Sequence, residues 1–325
     1  MINGHGDDIY LYNNVKANFS SNIYPHPCYA ELEQHLAQHL SLIRHYPEPA
    51  SQRVEPLLAE RLGVSADEVM LTSGATEAIY LIAQAWRTNG SYRVDKPTFS
   101  EYADACRMFG YKETTDASVR WLCNPNNPTG KTSSPEEICL EAQKTELLVV
   151  DQSYENYTLV PMLTPSDAVC MGNVLQLHSL TKQFSIPGLR LGYVVGDAAL
   201  VSRLRVVQRP WTVNALAVEA ALWLLESNVG PMPHLRDYLC EAQHLRQRLS
   251  QIRGISVLST DTNFMLCHSE ELSAAELKQV LVRDYGILIR DASNFEGLNS
   301  GHFRIAAQSP AENNLLVAAL KHIFQ

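Results

Sequence analysis

Five short apolar runs in the middle of the chain each end in turn-forming and polar residues, and that alternation restricts the fold more than any other feature. They are VMLTS (69–73), RWLC (120–123), LLVVD (147–151), VLQLHSL (174–180) and LRLGYVVG (189–196). LLVVD is apolar at successive positions, as strands of a parallel sheet buried on both faces are. After VMLTS, the stretch TEAIYLIAQAW (76–86) carries Ile79, Ile82 and Trp86 at helical spacing. Strands alternating with helices predict an α/β fold around a mostly parallel sheet. From about residue 215 the pattern changes to amphipathic helices, LAVEAALWLLES (216–227) and LRDYLCEAQHLRQRLSQI (235–252), followed by short strands at ISVLS, NFMLC, ILIR and HFRIA. We expect a large domain over 30–215 and a smaller α+β domain formed by 1–29 and 216–325.

Charge and cysteine usage exclude several functions. A net charge of −9 argues against a nucleic-acid partner, because such proteins carry a basic face. No apolar run reaches the roughly 18–20 residues that span a bilayer, and MINGHGDDIYLYNN has no signal-peptide character. Seven scattered cysteines with no CxxC pair point away from a disulfide framework or a metal site and toward the reducing cytoplasm. A soluble, cytoplasmic protein without a membrane partner is expected.

Several polar clusters follow the expected strands, where open α/β sheets bind ligands. Ser73-Gly74-Ala75-Thr76 leads into a helix; it offers an anion site at a helix N-terminus, and equally reads as a plain strand–helix turn. Asn127-Pro128-Thr129-Gly130 follows RWLC and fits a turn for local reasons alone. Asp151 closes LLVVD with Tyr154 three residues on; a carboxylate there is costly to desolvate and needs a partner, unless it simply caps a surface helix. HSLTKQFSIPGLRLGY (178–193) supplies two cations eight residues apart, Lys182 and Arg190. A lysine is a nucleophile only when deprotonated, and an arginine fork suits bidentate phosphate binding; Lys182 in isolation reads as a flexible surface residue.

Taken together, a lysine, an arginine, a helix N-terminus, a carboxylate and an Asn/Tyr pair are what a pyridoxal 5'-phosphate site needs. The order SGATE, PTF, NPNNPTG, DxxY, SLTKxxxxxGLRxGY and FRIA resembles the class I/II aminotransferases of the fold-type I pyridoxal phosphate enzymes over nearly the whole chain. The resemblance implies a three-layer α/β/α large domain like that of aspartate aminotransferase, with a smaller α+β domain. It implies that Lys182 carries the cofactor as a Schiff base and moves the Cα proton, and that Asp151 keeps the pyridine nitrogen protonated. Asn127 and Tyr154 would bind the ring's O3′, Phe99 would stack on the ring, and Ala75 N–H, Thr76, Ser179 and Arg190 would hold the phosphate. Phe99 also reads as ordinary core. Tyr46, in HYPEP, matches a tyrosine that reaches a neighbouring subunit's phosphate, which implies a homodimer. Arg304, in HFRIA, matches the arginine that grips a substrate α-carboxylate. Gln152 and Thr181 depart from the usual pattern.

Within the family the chain is nearest the subgroup of histidinol-phosphate aminotransferases and threonine-phosphate decarboxylases. GHG (4–6), NFSSN (18–22), RPWTVNALA (209–217) and IRDASNFEGL (289–298) resemble the decarboxylase side. By that likeness His5, Gly6, Asn22, Asn127, Arg290 and Arg304 line the substrate pocket, and a small phosphorylated amino acid is the substrate. Arg290 also reads as a strand-end surface arginine. A transaminase of the histidinol-phosphate type is the alternative. A pyridoxal-binding regulator would normally append a DNA-binding domain, and a degenerate scaffold would have lost Lys182, Asp151 or Arg190.

Overall fold

The computed structural model describes residues 7–25, 29–88, 90–227 and 234–325. Among these, one sheet contains β1 (Val69–Thr72), β2 (Ser91–Val94), β3 (Lys112–Glu113), β4 (Val119–Cys123), β5 (Leu147–Asp151), β6 (Val174–His178) and β7 (Gly192–Gly196). Their spatial order is β1-β7-β6-β5-β4-β2-β3. Only β7 runs against the other strands.

Central β5 explains why LLVVD is apolar throughout: all five of its residues are buried. Leu147 and Val149 enter one core with helix α1 (Gly74–Ala85) and helix α2 (Glu101–Met108), while Leu148 and Val150 enter another with Ile138 and Ala168. Strand residues alternate between faces, so helices cover both sides and the large unit has three layers. The edge strands β2 and β3 escaped the sequence reading for a physical reason. Arg93 on β2 and both residues of β3 face solvent, which leaves no apolar run to see.

Helix α3 (Leu180–Gln183) follows β6 directly. Helix α4 (Ala215–Glu226) then packs Ala217, Val218, Ala221 and Leu224 into a core shared with Leu71, Tyr193 and Val195. The packing of the first sheet therefore continues past residue 215; beyond this helix the chain joins at Tyr238 a second core that also holds Ala17, Phe19, Tyr154 and Tyr157.

A second, antiparallel sheet has the order β10-β11-β9-β8, with β8 (Ile255–Val257), β9 (Phe264–Ser269), β10 (Arg290–Asp291) and β11 (His302–Ala306). Helices α5 (Leu235–Leu249) and α6 (Pro310–Ile323) share its core. ILIR proves to be two pieces. Ile287–Leu288 pairs in parallel with Ala17–Asn18, whereas Arg290 turns into the four-stranded sheet. Phe19 is buried in this second core, and Ala306 N–H donates to its carbonyl at 2.9 Å. No helix of the described residues is long and apolar enough to cross a membrane.

Candidate active site

Strand register brings the polar clusters to one edge. Cys123 at the end of β4 is level with Asp151 at the end of β5, and Asp151 is level with Leu177 of β6, one residue before His178. Because β7 is antiparallel, its first residue, Gly192, lies beside Thr72 at the end of β1. The carboxyl ends of four strands and the start of a fifth therefore meet. A cavity of about 350 Å³ opens there.

Its walls include Asn22, Ala75, Thr76, Phe99, Asn127, Asp151, Tyr154, Ser179, Lys182, Arg190 and Arg304. Sequence reasoning named each of these. Two other expected site residues, Tyr46 and Arg290, are placed differently. Tyr46 is 85% exposed and lies 5.3 Å, ring to ring, from Trp211, away from the cavity of its own chain. Arg290 is buried, but donates to Asn294 Oδ1 at 2.8 Å and does not line the cavity. His5 and Gly6 lie outside the described residues.

The eight-residue spacing of Lys182 and Arg190 has a structural cause. The Thr181 hydroxyl donates to Leu191 O at 3.1 Å, while Leu191 N–H returns a bond to that hydroxyl at 3.2 Å. This pair closes the loop at its neck, so both cations reach the cavity from opposite sides of one turn. Arg190 adopts φ +57°, a left-handed conformation that L-residues seldom take. Gly74, at φ +75°, accommodates the result: a Cβ there would lie 2.6 Å from an Arg190 guanidinium nitrogen. Gly192 serves the same edge, since a Cβ on it would lie 2.7 Å from Ala75 N. Arg190, Ser179 and the first turn of α1 thus surround one corner of the cavity.

Asp151 is buried yet satisfied. Its Oδ2 accepts from Tyr102 Oη at 2.7 Å and its Oδ1 from Ser153 N–H at 2.9 Å. Burial, then the Asp151 charge, raises the Tyr102 phenol well above its ordinary value. It therefore stays a donor. The Tyr102 ring stacks on Trp121 with centroids 5.3 Å apart. Burial, followed by the same carboxylate, pushes the Cys123 thiol up to about 12. Tyr102 was not foreseen, although it lies one turn beyond Phe99 in the PTFSEY stretch; Ser20, Ser21, Asp7, Cys123, Ser153, Thr181 and Pro187 also line the cavity unforeseen.

The opposite wall comes from the second sheet. Arg304, 5% exposed, donates to Asn127 Oδ1 at 2.5 Å and to Ser20 O at 2.7 Å. Its Nε has no partner among the described residues, and neither has Asn22 Oδ1. Desolvation lowers the Arg304 guanidinium to about 10, and neighbouring Arg290 adds to the fall. The two arginines are direct cross-strand partners on β10 and β11. Asn22 Nδ2 reaches Tyr154 Oη at 3.4 Å, and Lys182 Nζ lies 5.6 Å from the Tyr154 ring centre. A lysine amine, a buried carboxylate and two arginine-bearing walls therefore face one small volume.

The chain has counterparts among known proteins. The family model for aminotransferase class I and II matches residues 14–115 and 111–320. A histidinol-phosphate aminotransferase of Caldanaerobacter subterraneus subsp. tengcongensis is 31% identical over 86% of this chain and 84% of its own. The threonine-phosphate decarboxylase of Salmonella typhimurium is 29% identical over 94% of this chain and 90% of its own. The crystal structure of L-threonine-O-3-phosphate decarboxylase from Porphyromonas gingivalis is 35% identical, with a TM-score of 0.91, covering 94% of this chain and 99% of that one. A match extending through both sheets accounts for more than the cavity alone, and the chain belongs to the class I and II aminotransferases, enzymes that work with pyridoxal 5'-phosphate.

Proposed function

We propose that the protein is a pyridoxal phosphate-dependent decarboxylase of a small phosphorylated amino acid such as O-phosphothreonine. The observation that carries this reading is the cross-strand pair of buried arginines, Arg290 and Arg304. Like charges directly opposite on a sheet are destabilising, and desolvation lowers the proton affinity of both. A substrate with a carboxylate and a phosphate brings negative charge to Arg304 at the cavity wall, in the field that Arg290 adds from behind it. The likeness to the threonine-phosphate decarboxylase structure supports the same choice.

The residues present fit the coenzyme. The cradle opened by Gly74 beside Arg190 suits its phosphate, and Asp151 suits its ring nitrogen. When bound, the coenzyme supplies an electrophilic carbonyl and an electron-withdrawing ring that draws electrons from a bond at the substrate's α-carbon. Lys182, which lines the cavity, would hold that carbonyl carbon through Nζ and could move a proton at Cα. Asp151, fixed by Tyr102 and Ser153 N–H, holds a proton at the ring nitrogen. Arg190, Ser179, Thr76 and Ala75 N–H bind phosphate, and Phe99 lies against the ring. Asn127 and Tyr154 donate to the ring hydroxyl. Arg304 orients the substrate's α-carboxylate with Asn22 beside it, and Arg290 reinforces the positive field from behind; His5 and Gly6 complete the proposed pocket. How Arg304 and Asn22 would orient the α-carbon, presenting its carboxylate or its C–H for cleavage, would decide between decarboxylation and transamination.

A cytoplasmic homodimer is part of this reading. Exposed Tyr46 lies among other exposed apolar side chains, Leu40, Ile43 and Trp211, and would reach the phosphate of a second copy. The six cysteines among the described residues are free.

Incubation with O-phosphothreonine, histidinol phosphate and aromatic amino acids tests the reaction. Release of CO₂ from O-phosphothreonine, without accumulation of pyridoxamine phosphate, is the expected result. Stoichiometric conversion to pyridoxamine phosphate with histidinol phosphate would instead establish the transaminase reading, which the relative from Caldanaerobacter favours.

A further inference from the structure

We propose that the protein carries a divalent transition-metal site of the zinc class, formed by His35, His39 and Glu219, outside the cavity described above. His35 lies on helix Ala30–Gln38 and His39 is its C-cap. The i, i+4 spacing puts both imidazoles on one side, a spacing that lets two histidines share a metal. Their ring centroids are 4.2 Å apart. Glu219 faces them from α4. One donor atom from each residue lies within 4.8 Å of the other two.

Two details favour metal binding over a simple ion pair. First, His39 Nδ1 lies 2.8 Å from His35 O. A carbonyl only accepts, so Nδ1 carries the hydrogen, and the lone pair of the neutral ring is on Nε2. A second-shell carbonyl fixes ligand histidines in this way. Second, the spacing is right. Zinc bonds of about 2.0–2.1 Å in a tetrahedron separate the ligand atoms by about 3.3 Å. Glu219 Oε1 is 2.8 Å from His35 Nε2 and 3.8 Å from His39 Nε2, so both separations from the carboxylate lie about half an ångström from that value. The His39 side chain is 41% exposed, which leaves the fourth position to water. Two imidazoles and one carboxylate suit zinc, cobalt or nickel, whereas magnesium and calcium take oxygen ligands. Arg53, which is bonded to Glu48 and feels the Glu219 charge, is a cation that the metal would compete with. Occupancy would tie the helix leading toward Tyr46 to α4.

The test uses the coenzyme-loaded protein, purified without a histidine tag, stripped with EDTA and held at a constant pH near 7.5, because protons compete with metal for such ligands. Titration with Co²⁺ should give visible d–d bands, to the red of the coenzyme, that saturate at one equivalent per chain. Zn²⁺ should displace them, and Mg²⁺ should not. The His35 ring lies 6.1 Å from the Trp223 ring, so bound Co²⁺ should quench part of the tryptophan emission, and Trp223→Phe should remove that part. His39→Ala, at a partly exposed position, and Glu219→Gln should each weaken binding at least tenfold while leaving coenzyme absorbance unchanged. Absence of saturable uptake by the unmutated protein would overturn the proposal. So would variants that bind as it does, or uptake that leaves Trp223 emission untouched.

Discussion

Replacing Arg304 by methionine separates function from stability more sharply than any other single change. Below about pH 10 Arg304 is protonated both folded and unfolded, so the full penalty of its lowered proton affinity is present at neutral pH and is relieved only as pH rises through that value. At about 1.4 kcal/mol per tenfold change in proton affinity, the fall from arginine's ordinary range to about 10 corresponds to a penalty on the order of 3 kcal/mol. Methionine removes this penalty but strands Asn127 Oδ1 and Ser20 O, its two acceptors, at about 1–3 kcal/mol each. The opposing effects largely cancel, and urea unfolding of Arg304→Met should show a change of no more than about 3 kcal/mol. Turnover should respond very differently. Two charge-assisted bonds to a substrate carboxylate contribute about 3–6 kcal/mol, so kcat/KM should fall roughly 10²- to 10⁴-fold. A variant that loses more than about 4 kcal/mol of stability, or keeps kcat/KM within about tenfold of the parent, would refute this reasoning.

Gly74→Ala combines a positive φ with a Cβ lying 2.6 Å from the Arg190 guanidinium; it should cost about 1–2 kcal/mol of stability and weaken coenzyme retention about tenfold, measured by dialysis and absorbance. Tyr102→Phe keeps the stack on Trp121 but removes the donor to Asp151. A hydrogen bond to a charged group is worth about 1.5–3 kcal/mol, so kcat should drop about 10- to 100-fold with near-ultraviolet dichroism intact; unchanged kcat would mean that Asp151 needs no such support. Tyr46→Phe should loosen the coenzyme in a dimer, as seen by gel filtration with absorbance detection, whereas a fully active monomer would contradict a shared site.

Legibility in the sequence followed burial. LLVVD announced a central strand because β5 is covered on both faces, and its terminal carboxylate stood out against apolar neighbours. The loop from Lys182 to Arg190 was readable because one spacing serves both cations. Edge strands β2 and β3 gave no such signal, since their outward residues are charged. Nor did the pattern of α4 reveal its partner: an alanine- and leucine-rich helix suits either core, and only the contacts with Leu71 and Val195 assign it to the first. Tyr102 was hidden for a different reason. Its role depends on where the phenol meets Asp151 in space, 49 positions along the chain, and aromatic residues in helices are ordinarily core. The cross-strand pairing of Arg290 with Arg304 likewise required the register of β10 on β11.

The central claim is that Lys182 carries pyridoxal 5'-phosphate at the carboxyl edge of the first sheet. Borohydride reduction of the purified protein, followed by digestion and mass spectrometry, tests it directly. A single phosphopyridoxyl group on the peptide containing Lys182 is the predicted result. Reduction that labels a different lysine, or a protein that stays colourless and takes up no label after incubation with the coenzyme, would contradict it.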